Sequence, residues 1–200
     1  AVFGTASAAV TMVLKVRPRL NPFHVLIGGL CSGVGAATAS LLDDDVLRPV
    51  IIVLMLAVGG YVAFRPGFGT EEGEPLAGRW RVIAALVAVA VIGFYDGIFG
   101  PGTGMFLIMA FTLIFSQSFL RSATLAKVVN TSTNLGALAV FAVGGHVYWQ
   151  LGLVLAVANI IGAQLGARTV LGGGSAFVRY ALLTLVIVMS VYLSWQQFVS

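Results

Sequence analysis

The sequence predicts an all-α fold: a polytopic transmembrane helical bundle with an internal, inverted repeat and Gly-rich interrupted helices. Three observations predict it. Of the 200 residues, 59% are hydrophobic and 9% charged, where soluble domains average about 25% charged, and the mean hydropathy is +1.03. The apolar runs come in lengths close to the roughly 20 residues that cross a bilayer as helix. Finally, Asp96, the one carboxylate outside the loops, lies in the stretch GFYDGIFGPGTG at 93–104. A charge beside interrupted helix is costly in hydrocarbon, which makes this segment a functional candidate in a membrane protein.

In order, the apolar runs are 1–14, 22–41, 47–64, 82–99, 104–119, 122–143, 150–170 and 176–196. The first already reads as helix interior, with neither Met nor a charged leader, so material is expected before Ala1. Lys15, Arg17 and Arg19 follow it; Asp43, Asp44 and Asp45 separate the second run from the third, which opens with Leu47 and Arg48. Arg65, Arg79 and Arg81 lie around the longest loop, Arg121 and Lys127 open the sixth run, and Arg168 and Arg179 bracket the Gly-rich turn at 171–175. Counting 82–99 and 104–119 as two crossings places ten of the eleven Lys and Arg residues on one face, which the positive-inside rule makes cytoplasmic. The expected localisation is the inner (plasma) membrane, multi-pass.

The basic balance, pI near 9.6, therefore reads as topology; no basic patch interleaved with aromatics points to nucleic acid. Cys31, alone among small residues, gives no disulfide or metal pattern and reads as packing. No Cys/His metal set, Ser/His/Asp arrangement or phosphate loop appears, so neither an enzyme nor an ATP-driven pump is expected, and no cofactor is implied.

Small-residue landmarks suggest the repeat. Residues 4–10 resemble 136–142, each followed by a loop and a small-rich helix, 29–41 and 158–170, and then by the openings 46–49 and 176–179. As the first and sixth crossings, the copies take opposite orientations, a common plan for secondary transporters. The expected organisation is a first repeat at 1–64 lacking its N-terminal part, a cytoplasmic connecting loop at 65–81, and a second repeat at 82–200.

Glycines at 93, 97, 100, 102 and 104, with Pro101, interrupt helix and let backbone approach a ligand. Freed amides at the next helix start favour an anion, which nominates Gly100, Gly102, Thr103 and Gly104. A plain turn between two spans is the bland reading. The second polar cluster is KVVNTSTNLG at 127–136. Asn130 and Asn134, four apart, share a helix side, with Thr131 and Lys127 flanking it; amides and hydroxyls donate without net charge, and Lys127 supplies a countercharge. Interhelical glue is the alternative. GAQLGA at 162–167 has small residues at four-residue spacing suited to packing, with Gln164 a weaker pocket candidate, and His146 reads as a solvated loop residue. Asp96 is expected in coupling or gating, since an ionised carboxylate would repel an anion; holding the pocket's shape is the competing role.

Taken together, GFYDGIFGPGTG at 93–104, AKVVN at 126–130 with NLG at 134–136, and GAQLGA at 162–167 resemble the sulfite exporter TauE/SafE family, also described as YfcA-like or DUF81 permeases, over nearly the whole chain. The resemblance implies a carrier of sulfur-containing anions such as sulfite, thiosulfate or organosulfonates. It supports Asp96, Gly100, Gly102, Gly104, Lys127 and Asn130 as the central set. The family's first acidic Gly-rich motif has no counterpart in this chain. The expected function is secondary transport of a small sulfur-containing or other inorganic anion across the lipid bilayer by alternating access, with proton coupling an option; an anion channel and a non-transporting membrane scaffold are the rivals. Substrate, direction and oligomeric state are not legible.

Overall fold

The computed structural model describes residues 1–19, 21–39, 53, 56–57, 59–64, 68–69 and 78–199. Asp43, Asp44, Asp45, Arg48 and most of the 65–81 connection lie outside them. The described residues form α1 (Val2–Val16), α2 (Pro22–Thr38), α3 (Gly78–Ile98), α4 (Thr103–Phe115), α5 (Phe119–Val143) and α6 (Trp149–Val199), with residues 59–64 also helical and no strand among them. The all-α expectation holds.

Local chemistry sets the boundaries. Pro22 occupies the first turn of α2, where its missing N–H costs nothing, and the Asn21 side chain accepts from Phe23 N at 3.0 Å. Ser118 caps α5 by accepting from Arg121 N, so this helix starts at Phe119, three residues before the expected 122. The runs expected at 150–170 and 176–196 join as α6, interrupted at Gly174, whose φ of 62° and ψ of −157° are non-helical.

Large apolar side chains cover the exterior as well as filling the core. Leu151, Leu153, Val154, Leu155 and Val157 of α6 are 57–70% exposed, while Ser32, Thr103, Ser122, Thr124 and Thr133 are buried. Such an apolar exterior is stable against acyl chains and not against water. The buried hydroxyls are satisfied inside, as when Thr112 and Thr124 donate to the carbonyls of Ile108 and Leu120 at 2.8 and 2.9 Å. Gly78–Ile98 and Trp149–Val188 are long and apolar enough to cross a membrane. An apolar exterior and apolar helices together point to a membrane protein.

Small residues bring α3 and α5 onto α2. A Cβ at Gly97 would overlap the Ser32 carbonyl, one at Gly35 the Phe94 carbonyl, and one at Gly93 would lie 2.9 Å from Gly28 O. On the other side of α2, a Cβ at Gly136 would overlap the Gly29 carbonyl, and Ser32 Oγ donates to Thr133 O at 2.8 Å. Backbones this close gain dispersion over many atom pairs, which in lipid replaces the missing hydrophobic drive. Gly93 and Gly97 therefore lie in continuous helix and serve this packing. Contrary to expectation, they do not interrupt α3; the break itself is confined to 99–102.

One end of the bundle collects several chain segments. Phe119 N donates to Gly69 O at 2.7 Å, Leu120 N to Ser175 Oγ at 3.3 Å and Arg179 Nη2 to Val62 O at 2.9 Å. The Gly174 break thus lies beside the start of α5.

Candidate functional site

The α3–α4 break is built by its own residues. Gly100 and Gly102 have φ of 88° and 84°, a region that side-chain-bearing residues enter at a cost. The Thr103 hydroxyl lies 2.6 Å from Asp96 Oδ1 and 2.7 Å from Gly100 O, and the Tyr95 hydroxyl donates to Pro101 O. Thr133 of α5 brings a second hydroxyl to the Asp96 carboxyl group. Asp96 thus ties the end of α3 to the start of α4 and both to α5. At 13 residues, α4 is about 20 Å long, roughly 10 Å short of a hydrocarbon core. Its amino end has no side-chain cap, and Thr103 N donates back to Gly100 O at 3.2 Å.

Two cavities flank this break. The first, about 690 Å³, is lined by Asp96, Gly100, Gly102, Thr103, Asn130 and Asn134, and reaches Phe141 and Trp149 at the α5–α6 connection. The second, about 640 Å³, is lined by Lys127, Asn130, Asn159 and Gly162, and reaches Val170, Phe177 and Val178 around the Gly174 break. They therefore point to opposite ends of the bundle. Thr5, Gly104, Met105, Asn130 and Leu185 line both and form the waist between them. Met105 is 2% exposed, whereas a Cβ at Gly104 would meet nothing within 4 Å.

The nominated residues divide between the chambers. Asp96, Gly100, Gly102, Thr103 and Asn134 face the first, Lys127 the second, and Asn130 and Gly104 both. Thr131 lines neither; its hydroxyl donates to Lys127 O at 2.8 Å. Asn134 Nδ2 donates to Asn130 O at 2.6 Å, and Asn130 Nδ2 lies 3.5 Å from Thr133 Oγ1, so the amide stripe is braced along α5. Among the described residues Lys127 pairs with no carboxylate. Lys127 and Asn130 are one turn apart, a cation followed by an amide donor, with the amino end of α4 opposite. A cation facing a chamber of mostly apolar lining attracts an anion more strongly than it would in water. No described group of three or more His, Cys, Asp and Glu residues could hold a metal.

Gln164 joins helices, its Oε1 accepting from Thr11 Oγ1 at 3.1 Å. Residues that sequence reasoning missed are Thr5 at the waist, Thr133 behind Asp96, and Asn159 in the second chamber. Asn159 carried a signal: it is, like Gln164, an amide within an apolar run, and such groups are costly in lipid unless they face an interior.

The family model described as sulfite exporter TauE/SafE matches residues 1–193. Among curated relatives, the probable membrane transporter protein YfcA of Escherichia coli K12 is 32% identical over 172 residues, covering 86% of this chain and 62% of the relative. The chain therefore spans less than two thirds of that protein. Probable membrane transporter protein ORF9 of a Sinorhizobium species is 31% identical, covering 96% of this chain and 74% of its own. A probable membrane transporter protein of Haemophilus influenzae is 30% identical, with 98% and 77% covered. No solved structure matches.

Proposed function

Because the chain belongs to the sulfite exporter TauE/SafE family, we propose that it carries small sulfur-containing oxyanions, such as sulfite, thiosulfate or organosulfonates, across the inner membrane by alternating access. The observation that carries the reading is the pair of chambers pointing to opposite ends and meeting at a waist of Thr5, Gly104, Met105, Asn130 and Leu185. The Lys127 chamber lies toward the arginine-rich end, which the positive-inside rule assigns to the cytoplasm. An anion entering there meets Lys127 first and Asn130 next. At the waist it exchanges water for the Asn130 amide and the amino end of α4, where backbone N–H groups favour negative charge. Beyond lies the chamber of Asp96. A carboxylate there opposes backflow when ionised and ceases to when it takes a proton, which is how proton coupling enters the proposal.

The inverted repeat belongs to the same proposal. Reciprocal packing supports it: Gly4 of α1 lies against Asn159 of α6, and Gly136 of α5 against Gly29 of α2. These pairs exchange, to within one residue, when 4–10 is aligned with 136–142 and 29–41 with 158–170.

The test is anion flux into proteoliposomes across sulfite, thiosulfate, sulfate and organosulfonates. Saturable uptake of at least one sulfur oxyanion, with competition among them, is the expected outcome. Unsaturated conductance would favour a channel, and no flux of any anion would sink the reading.

A further inference from the structure

A third cavity, about 550 Å³, lies apart from both chambers at the helix ends and is lined by Arg17, Arg19, Arg81, Arg121, His24 and Gln117, among others. Among the described residues no carboxylate lines it. His24 is 6% exposed and packs its ring near Phe111 and Phe115, with centroids 5.9 and 6.2 Å away. Its Nε2 is buried without a hydrogen-bond partner. Arg17, Arg19 and Arg81 line the same cleft as this buried, unsatisfied nitrogen, and because an unpaired buried polar atom costs free energy, the cleft suits an acceptor-rich occupant.

The same cleft adjoins an apolar groove. Along the outer face of α3 a hollow of about 650 Å³ is lined by Trp80, Ile83, Ala84, Val87, Ala88 and others. Arg81 of the cleft precedes Ala84 by three residues and Ala88 by seven, so cation and groove share one helical stripe. Trp80 is 64% exposed under the Arg79 guanidinium, 5.8 Å from its ring centroid, and Phe23 beside His24 is 62% exposed. Exposed aromatics flanked by arginines mark headgroup level.

From the arginine cleft, the unpartnered His24 nitrogen and the adjoining α3 groove, we infer that this face binds one anionic glycerophospholipid, its phosphate held by the arginines and an acyl chain lying along α3. Planar guanidinium forks match phosphate geometry bidentately, and neither feature alone accounts for the other. A free oxyanion would fill the cleft and leave the groove without purpose.

Native mass spectrometry of the full chain, incubated with phosphatidylglycerol or with phosphatidylcholine of the same acyl composition, tests this. Retained phosphatidylglycerol and lost phosphatidylcholine are expected. Combining Arg17→Gln, Arg19→Gln and Arg81→Gln should lower retention roughly fivefold per arginine. His24→Phe, which keeps the ring packing, should lower it severalfold, and Ala88→Trp, which fills the groove and leaves the cleft intact, at least fivefold. Equal retention of the two lipids, or unchanged retention in all three variants, would overturn the inference. So would complete displacement by equimolar inorganic phosphate, which would reveal a free-anion site. Retention is read without transport, so its failure leaves the proposed function standing.

Discussion

The break at 99–102 and the break at Gly174 both depend on glycine at positive φ, 88° and 84° at Gly100 and Gly102 against 62° at Gly174. Their surroundings differ. Around the first, Asp96, Thr103, Tyr95 and the Pro101 carbonyl close a hydrogen-bonded knot, and both chambers approach it. Around the second, a Cβ would meet nothing within 4 Å, and the neighbouring Ser175 hydroxyl does no more than accept from Leu120 N. Glycine by itself allows a change of direction. Glycine with a carboxyl group and its donors makes a rigid corner to which a ligand can be brought.

The largest effect is expected from cutting that knot. Asp96→Ala removes the carboxyl group that ties α3 to α4 and α5 and leaves the Thr103 and Thr133 hydroxyls only the Gly100 and Asn130 carbonyls; losing hydrogen bonds to a charged group costs about 1.5–3 kcal/mol, and flux in proteoliposomes should fall by roughly one to two orders of magnitude. Asp96→Asn keeps the shape and removes titration. It should still bind anion but lose the response of flux to an imposed pH gradient; the parent rate with unchanged pH-gradient dependence would reduce Asp96 to architecture.

Next comes Lys127→Ala, which should weaken anion binding about tenfold, the loss of one charge-assisted contact, with thermal stability in detergent retained. Lys127→Arg should restore little, because a guanidinium does not reproduce the compact ammonium. Unchanged affinity in the alanine variant would remove Lys127 from the site.

The two breaks are then compared directly. Gly174→Ala should cost about 1–3 kcal/mol of stability, as this combination of φ and ψ is essentially reserved for glycine, while leaving the affinity for anion intact. Gly102→Ala should cost a similar amount and lower affinity as well. Equal loss of affinity from both substitutions would erase the distinction between corner and bend. The smallest effect belongs to Tyr95→Phe, which removes one hydroxyl donor to Pro101 O and should lower stability by about 1 kcal/mol, read as a shift in the thermal midpoint.

Most of the fold was legible because lipid-facing helices advertise themselves as apolar runs; the described helices begin within four residues of the expected starts, apart from the joined run of α6. The early start of α5 was missed because Ser118 acts as a cap, a signal weaker than the apolar run that follows. The site was half legible. Asp96, Lys127 and Asn130 stand out as polar atoms in hydrocarbon, and Gly100 and Gly102 as breakers. Gly93 and Gly97 look identical to those breakers in sequence, and only the approach of α2 distinguishes packing glycines from turning ones. Thr5 and Thr133 were hidden for another reason: a threonine in an apolar helix commonly satisfies itself on a preceding carbonyl, so its presence says nothing about which face meets a cavity.

The placement of Asp96 and Lys127 on helix backbones, about 9 Å apart along the bundle by the six-position offset from Lys127 to Thr133, has an electrical consequence. Neither charge can leave with the cargo. If a monovalent anion crosses the waist alone, the cycle moves net charge, and an inside-negative potential contributes about 2.3 kcal/mol per 100 mV toward the outside. If a proton crosses with it, that contribution vanishes. Currents recorded on a solid-supported membrane separate the two cases: a transient whose sign follows the anion marks unaccompanied passage, and its absence during measured flux marks a neutral pair.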